Sequence, residues 1–461
     1  VCALANPVGV TVEDKLPLEQ QTGHVDQRVV HHPVAAGRRA DQPRLGCVDA
    51  EVVITAGLVG QTGQFLFQAE QLVFQVEFEG RDSRLAALAA PRDVCVSTGN
   101  GNWGTAGTWT CGHVPTGSDI VIINNGHTVT LDSTDSYAYQ LIVGGGTSGR
   151  LEHATGSQTL TVGAGGVSVS IGATFDAPET LNIAGNLTNN GWLVSSFGTL
   201  TINGGNFTNN GLFLHNNGTL VMSGSTAKSI GGADLTFYNL TINNSAGVNL
   251  TANATVDGTL TLNYDLRLSD GCALTMAISA TTQGNADVVG KTRRAHTFTS
   301  NTPYTFGSPY TTIRFTDGTL PSEITVELFK SAPGGLANAV QRYYSITPTG
   351  GSGYTFDLKL HYLDSELGGI NENNLQIWQQ VSGSWTLRSV TSRDTTNNWV
   401  QKTGLTSFSL WALSDSGAPT AVTLSAFDAR ADAPSALPFI GLGALAVVML
   451  GVVVWRRTMC Q

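Results

Sequence analysis

The sequence predicts an all-β protein: a right-handed parallel β-helix solenoid, followed by a β-sandwich and one C-terminal transmembrane helix. Three observations carry this prediction: apolar pairs recurring about every twenty residues, turns rich in Asn and Gly between them, and a charge-free apolar run near the C terminus. The 461 residues include 54 glycines and only 13% charged side chains, which is typical of turn-rich β structure. The net charge of −10 argues against a nucleic-acid partner, because phosphate binding needs clustered Lys and Arg.

The solenoid prediction depends on a fixed period. Successive apolar pairs begin 19 to 21 residues apart, and such self-similarity indicates coils that bury their apolar faces only by stacking on one another. We expect about eight coils within residues 91–284. The pairs are Ile120/Ile122, Leu141/Val143, Leu160/Val162, Leu181/Ile183, Leu200/Ile202, Leu220/Met222, Leu240/Ile242 and Leu260/Leu262.

The turns repeat with the strands. The segment Asn186–Gly191 (NLTNNG) is echoed twenty residues later by Asn206–Gly211 (NFTNNG). Asn and Gly tolerate positive φ and therefore favour tight turns. Short alternating runs such as Thr199–Asn203 predict strands with one face inward.

The beginning of the solenoid carries candidate cap and disulfide residues. Cys95 and Cys111 lie sixteen residues apart in one polar segment, and an oxidising compartment would allow them to form a disulfide; the alternative is two unpaired thiols. Trp103 and Trp109 are the candidate cap residues. No Cys or His spacing typical of a metal site occurs, and we expect no metal and no cofactor.

Residues 102–132 resemble the opening segment of bacterial cell-surface parallel β-helix proteins, both pectin-lyase-like and adhesin-type. The resemblance implies that aromatic side chains cover the open end of the first coil. For His127 the sequence favours a place in a turn or strand, and a ligand role is the alternative. The matching positions are Trp103, Trp109, Pro115, Asp119, Gly126 and His127.

Residues 285–415 lack the twenty-residue period and show longer strands separated by turn clusters, which predicts a β-sandwich. Four tryptophans in this part favour ordinary core packing, and carbohydrate stacking is the alternative. They are Trp378, Trp385, Trp399 and Trp411.

The C-terminal segment predicts membrane anchorage. Residues 416–436 form a linker, and the nineteen uncharged residues Leu437–Trp455 are long enough to cross a bilayer. Arg456 and Arg457 begin a tail at 456–461 that the positive-inside rule places in the cytoplasm. The tail resembles bacterial surface-protein anchoring signals, although Ile440 stands where a sortase motif requires threonine. We expect cell-surface localisation with most of the chain outside.

Residues 1–90 differ in texture, with dispersed Arg, His and Gln and no Asn/Gly/Thr bias. Our hypothesis is a mistranslated or disordered segment joined to the protein near residue 86. The alternative is a small N-terminal domain whose strands come from Gly63–Gly80.

No nucleophile, phosphate-binding or dinucleotide motif occurs. Polysaccharide-cleaving β-helices need clustered acids and bases on one face, yet Lys228 is the only charged residue between Thr180 and Ala233. The sequence therefore favours a non-catalytic structural or adhesion protein, with no catalytic residue assigned, contacting surface polysaccharide, matrix or other cells. The alternative is a surface-anchored polysaccharide lyase or hydrolase of the pectin-lyase-like class.

Overall fold

The chain is all-β over residues 92–415, which are the residues that the structure, a computed structural model, describes. The segment 1–90, the linker, the predicted transmembrane helix at 437–455 and the tail lie outside them. Between residues 92 and 415 there is no helix with the length and apolar character needed to span a membrane. The helices of this part are short 3₁₀ turns, at Ala106–Thr108, Asp364–Glu366 and Glu372–Asn374.

A parallel β-solenoid of about nine turns forms the N-terminal part. Each turn contributes strands to three sheets, and the strands of each sheet pair in parallel with those of the neighbouring turns. Sheet 1 contains Val94–Val96, Ile120–Ile123, the second halves of Asp135–Val143 and Thr159–Val169, Leu187–Asn189, Phe207–Asn209, Lys228–Gly232, Val248–Leu250, Leu266–Leu268 and the start of Val288–Ala295.

Sheets 2 and 3 complete each turn. Sheet 2 contains the first halves of Asp135–Val143 and Thr159–Val169, then Thr180–Ile183, Thr199–Ile202, Thr219–Gly224, Asn239–Asn244, Thr259–Leu262 and Thr281–Gly284. Sheet 3 contains Gly101–Asn102, Thr128–Leu131, Arg150–His153, Thr174–Asp176, Trp192–Val194 and Leu212–Leu214. The later turns supply Leu235–Phe237, Ala254–Val256 and Ala273–Met276 at the corresponding place in the coil.

The interior of the solenoid is a continuous column of mainly aliphatic side chains, with the aromatic rings of Phe175, Phe207 and Phe237 among them. In sheet 2 the strand register places each buried leucine on the leucine of the next turn, about 4.8 Å away. Burying one such side chain stabilises the fold by about 1.5–3 kcal/mol. An isolated turn would leave these side chains exposed, so each turn depends on its neighbours for stability. The stacked leucines are Leu160, Leu181, Leu200, Leu220, Leu240 and Leu260.

The twenty-residue period crosses from one sheet to another, which explains why the sequence predicts about eight coils and the structure has about nine. Strand Asp135–Val143 bends at a corner, so its first half pairs in sheet 2 and its second half in sheet 1. Ser136, not Leu141, is therefore the partner of Leu160. In the first strand the buried residues are Val121 and Ile123. The predicted pair Ile120/Ile122 is displaced by one residue from the inward register.

The repeated Asn-Asn-Gly segments hold neighbouring turns together. Asn189 is fully buried and its Nδ2 donates to Asn209 Oδ1 at 2.6 Å and to the Leu212 carbonyl at 2.9 Å. Its own Oδ1 accepts from the Gly191 amide at 3.1 Å. A Cβ at Gly211 would lie 2.1 Å from the Gly191 carbonyl oxygen, so only glycine allows the turns to approach this closely.

The N-terminal end of the solenoid is covered by an aromatic pair and a disulfide. Trp103 and Trp109 are buried edge-to-face with their ring centroids 5.1 Å apart, and Trp109 Nε1 donates to the Trp103 carbonyl. A disulfide joins Cys95 to Cys111, whose Cα atoms are 4.9 Å apart. Closing a loop of this length contributes about 3 kcal/mol through the entropy of the unfolded chain.

The C-terminal part consists of two antiparallel sheets that share one hydrophobic core. Val288–Ala295 belongs to both parts, because it pairs in parallel with the last solenoid turns and antiparallel with Glu323–Phe329. One sheet contains Val288–Ala295, Glu323–Phe329, Ala339–Thr349, Leu410–Ser414, Gln376–Val381 and Ser384–Leu387. The other contains Pro303–Thr305, Thr312–Thr319, Ser352–His361, Trp399–Leu405 and Ser392–Asp394.

The tryptophans of this part serve packing. Trp378 and Trp411 are fully buried, and Trp385 is nearly so, with its Nε1 donating to the Gly334 carbonyl at 2.8 Å. Trp399 is half-buried and lies under the Lys359 ammonium, 4.0 Å from its ring centroid.

We predict that Asn189→Ala lowers the free energy of unfolding by about 1–3 kcal/mol, because it leaves a buried Asn209 amide and the Leu212 carbonyl without their partner. Asn210→Ala is the matched control: its Nδ2 donates to Asn190 Oδ1 at 3.0 Å on the exposed side of the same turn. Urea denaturation followed by circular dichroism measures both. Equal losses in the two variants would contradict a structural role specific to the inner asparagine.

Candidate functional site

The outward face of sheet 3 carries both ionic side chains and large exposed apolar side chains. Register aligns two outward rows along the solenoid, one residue per turn. The first row is Thr128, Arg150, Thr174, Trp192 and Leu212, and the second is Thr130, Glu152, Asp176, Val194 and Leu214. Ionic residues occupy the earlier turns and apolar residues the later turns.

The later turns expose large apolar side chains, here called the apolar platform: Trp192, Phe197, Leu212, Leu214 and Tyr238. Trp192 is 58% exposed, although indole is among the side chains most favoured in protein interiors and interfaces. The structure shows nothing within residues 92–415 that covers it. Large exposed apolar side chains that lie together on a protein surface mark an interaction site.

The earlier turns carry the ionic cluster: Arg150, Glu152, His153 and Asp176. Arg150 Nε lies 2.6 Å from Glu152 Oε2, and its Nη2 lies 4.0 Å from Asp176 Oδ2. His153 Nε2 is 3.9 Å from Asp176 Oδ1, and its ring packs 5.9 Å from Phe197. The ionic cluster and the apolar platform are therefore one continuous surface.

The chemistry of this surface suits a large, polar ligand with apolar patches. Aromatic faces stack on the C–H faces of sugar rings, and carboxylate and guanidinium groups hydrogen-bond to hydroxyls. A second histidine extends the surface. The His215 ring stacks on Tyr238 with the ring centroids 5.8 Å apart, and its Nε2 lies 3.7 Å from Asp257 Oδ2. Three carboxylates, those of Glu152, Asp176 and Asp257, stand on this surface beside one guanidinium, so the surface disfavours strongly acidic ligands.

A second group of titratable residues lies where the solenoid meets the two-sheet part, and we call it the junction network: Asp265, Asp287, Lys330, Arg342, His361 and Glu366. Asp287, Arg342, His361 and Glu366 are buried, whereas Asp265 and Lys330 are partly exposed. Arg342 is fully buried and its Nη2 donates to Asp287 Oδ2 at 2.8 Å and to Glu366 Oε1 at 2.9 Å. Lys330 Nζ lies 2.9 Å from Asp265 and 3.2 Å from Asp287. The network thus joins two solenoid carboxylates to cations of the following sheets.

The junction network does not form a catalytic triad. Ser308 Oγ and Asp287 Oδ1 both contact the same His361 nitrogen, Nδ1, at 3.3 and 2.9 Å. A serine nucleophile and an orienting carboxylate must engage different ring nitrogens. Asp265, Arg267 and Lys330 also line an adjacent pocket of about 280 Å³, but both of these cations are paired with Asp265. The geometry is that of a structural ion network.

Neighbouring charges keep Asp287 and Arg342 ionised despite their burial. Burial by itself would raise the pKa of Asp287, but Arg342, His361 and Lys330 hold that pKa well below its usual range. Burial would likewise lower the pKa of Arg342, whereas Asp287, Tyr344 and Glu366 hold it above its usual value. Tyr344 shares the site, and burial raises its pKa to about 12.

At the cap, Asp93, His113 and Asp119 come within ligand distance of one another. His113 Nε2 is 3.2 Å from Asp93 Oδ2, but Asp119 lies 3.9 Å from the opposite ring nitrogen. Asp119 Oδ2 already accepts from the Thr116 amide and hydroxyl at 2.7 Å each. Hydrogen bonding to the Val114 carbonyl and to Asp93 raises the pKa of His113. These contacts brace a turn.

The residues singled out from the sequence and those of the exposed surface differ. Cys95, Cys111, Trp103 and Trp109 build the N-terminal end of the solenoid, and His127 Nδ1 lies 2.9 Å from Ser97 Oγ. Lys228, in the charge-poor turns, is buried and its Nζ donates to the Asn203 carbonyl at 2.8 Å. Burial lowers its pKa.

Sequence reasoning missed the ionic cluster and the apolar platform. The available signal was the alternation in the segments Arg150–His153 and Thr174–Asp176, each with one buried apolar residue between polar ones. Their offsets depart from twenty residues, so the period alone does not align them.

The chain matches no family model, no curated protein and no solved structure.

We predict that Asp287→Asn destabilises the protein by about 3–5 kcal/mol at neutral pH, because it leaves Arg342 buried without its main counter-charge. The pKa of Asp287 is lowered on folding, so its contribution is present above the carboxyl's unfolded value and is lost as pH falls through the folded value. The difference in free energy of unfolding between wild type and variant should therefore become smaller below about pH 4. Urea melts at several pH values measure it, and a pH-independent difference would contradict this assignment.

Proposed function

We propose that this protein is a membrane-anchored extracellular adhesion rod, a right-handed parallel β-helix on a β-sandwich base, that binds polysaccharide without cleaving it. The observation that carries the proposal is the apolar platform, a row of exposed aromatic and aliphatic side chains on the face of a rigid sheet. A solenoid core of stacked leucines holds this face in one shape, so little ordering entropy opposes binding.

The chemistry of the surface favours a neutral or amine-bearing polysaccharide. Trp192 and Phe197 provide faces for sugar rings, and Arg150 and Asp176 provide hydrogen-bonding groups beside them. The surplus of carboxylates repels uronic acids, since like charges at an interface reduce affinity. A long polymer would contact several turns at once, because each turn repeats the same outward positions.

Export and anchorage are part of the same proposal. The apolar run Leu437–Trp455, followed by Arg456, supports a membrane anchor with the rod outside. The disulfide between Cys95 and Cys111 fits an oxidising compartment. The resemblance of the opening segment and tail to bacterial surface proteins supports the same location.

The ionic cluster favours a second candidate, a polysaccharide lyase or hydrolase of the pectin-lyase-like class. Two carboxylates, one guanidinium and one imidazole converge there, which are the groups that such reactions use. Two facts favour binding over catalysis. The cluster lies on an outward sheet face, whereas catalytic sites are usually found in clefts. Arg150 is also already paired with Glu152.

We predict that Trp192→Ala weakens binding to an immobilised neutral polysaccharide by about 2 kcal/mol, or roughly thirtyfold in Kd, because it removes the largest exposed anchor. Tyr264→Ala is the matched control, an exposed aromatic outside the platform. Affinity electrophoresis against a panel of neutral, amine-bearing and acidic polysaccharides measures the change. Equal losses in both variants would contradict the assignment of the platform.

The same panel separates binding from cleavage. Incubation of the full-length protein with each polysaccharide, followed by assays for new reducing or unsaturated ends, should give none. Product formation that disappears in Glu152→Gln and Asp176→Asn would establish the second candidate in place of the first.

A further inference from the structure

The outward face of sheet 2 is a two-dimensional array of threonines, here called the threonine array. Two rows run along six consecutive turns, and nine of the twelve positions are threonine. The first row is Thr159, Thr180, Thr199, Thr219, Asn239 and Thr259, and the second is Thr161, Asn182, Thr201, Val221, Thr241 and Thr261.

The spacing of the array follows from sheet geometry. Neighbouring turns repeat at about 4.8 Å, and residues i and i+2 on one strand lie about 6.6 Å apart. Parallel register is unbroken from Thr159 to Thr261, so both repeats hold over the whole face. Because threonine is β-branched, its χ1 is restricted and its hydroxyl and methyl groups keep fixed directions.

Most hydroxyls of the array are not used by the protein. Among residues 92–415, these hydroxyls make no hydrogen bond to another protein group: Thr159, Thr161, Thr180, Thr199, Thr201, Thr241 and Thr261. Each can donate one hydrogen bond and accept two. The side chains are partly exposed, so the surface presents both hydroxyl and methyl groups.

No position of the array is ionised. All twelve side chains are Thr, Asn or Val, in contrast to the ionic cluster on sheet 3. A charge-free surface is complementary to an uncharged ligand, and a surface that repeats in two directions is complementary to a ligand that also repeats in two directions.

We propose that the threonine array binds the surface of ice. The two repeats of the array are close in size to two oxygen repeats of the hexagonal ice lattice. Hydroxyls that both donate and accept can take the place of lattice water molecules, while the methyl groups lie over the spaces between them. The lattice is uncharged and rigid, as the array is.

Polysaccharide is the less suitable occupant of this face. Sugar rings are recognised by stacking on flat aromatic side chains, and the twelve positions contain none. Exposed aromatic side chains lie outside the twelve positions: Trp192, Phe197 and Tyr238 in the apolar platform, and Tyr137 on the turn that precedes Thr161. The two faces therefore suit two different ligands, and ice binding does not depend on the proposed polysaccharide adhesion.

The full-length protein, purified in detergent with the same detergent solution as the blank, should show thermal hysteresis and shape growing ice crystals. Thr201→Lys places a long charged side chain in the middle of the array and should abolish both effects. The matched control is Thr188→Lys, an outward threonine of sheet 1 with similar burial. Circular dichroism verifies that both variants keep the wild-type β content.

A gain-of-function pair tests the periodicity itself. Asn182→Thr and Val221→Thr together complete the second row, and thermal hysteresis should increase because more of the lattice is matched. Absence of hysteresis in the wild-type protein would overturn the proposal, as would equal activity in Thr201→Lys and Thr188→Lys. Retention on crystalline cellulose or chitin that Thr201→Lys abolishes, without any effect on ice, would assign the array to polysaccharide instead.

Discussion

In-register stacking of parallel turns is the constraint on which the rest of this structure depends. Each turn has too little apolar surface to be stable alone, and it is stabilised by placing its leucines on those of its neighbours. The same stacking aligns Asn189 with Asn209, and their amide contact adds hydrogen bonding to the apolar contact. Every outward position inherits this alignment, so a residue type repeated in the sequence becomes a row on the surface.

A stacked rod has two ends, and each needs a cover because its last strands expose unpaired edges and core. At the N-terminal end the cover is a pair of tryptophans and the loop that Cys95 and Cys111 close. At the other end, strand Val288–Ala295 continues the solenoid into an antiparallel sheet. There the junction network surrounds Arg342, whose burial is tolerated only because Asp287 and Glu366 supply counter-charges.

The solenoid presents outward faces of different chemistry. Sheet 2 exposes threonine rows without charge, whereas sheet 3 exposes acids and bases that give way to apolar side chains along the rod. The difference does not disturb the core, because inward and outward residues alternate along each strand and are independent of each other. Such a scaffold suits binding to extended ligands, since one interaction can be repeated turn after turn.

The sequence by itself determined the solenoid, because a period near twenty residues is a local pattern that stacking requires. It also singled out Cys95, Cys111, Trp103 and Trp109, which lie close together along the chain. Only the tertiary structure decided which strand pairs with which: Leu160 stacks on Ser136, because a corner within one strand changes the sheet to which its residues belong. The ionic cluster and the junction network also could not be predicted from the sequence. Arg150 meets Asp176, and Arg342 meets Asp287, only through turns of unequal length and long-range packing, and no sequence spacing encodes those contacts.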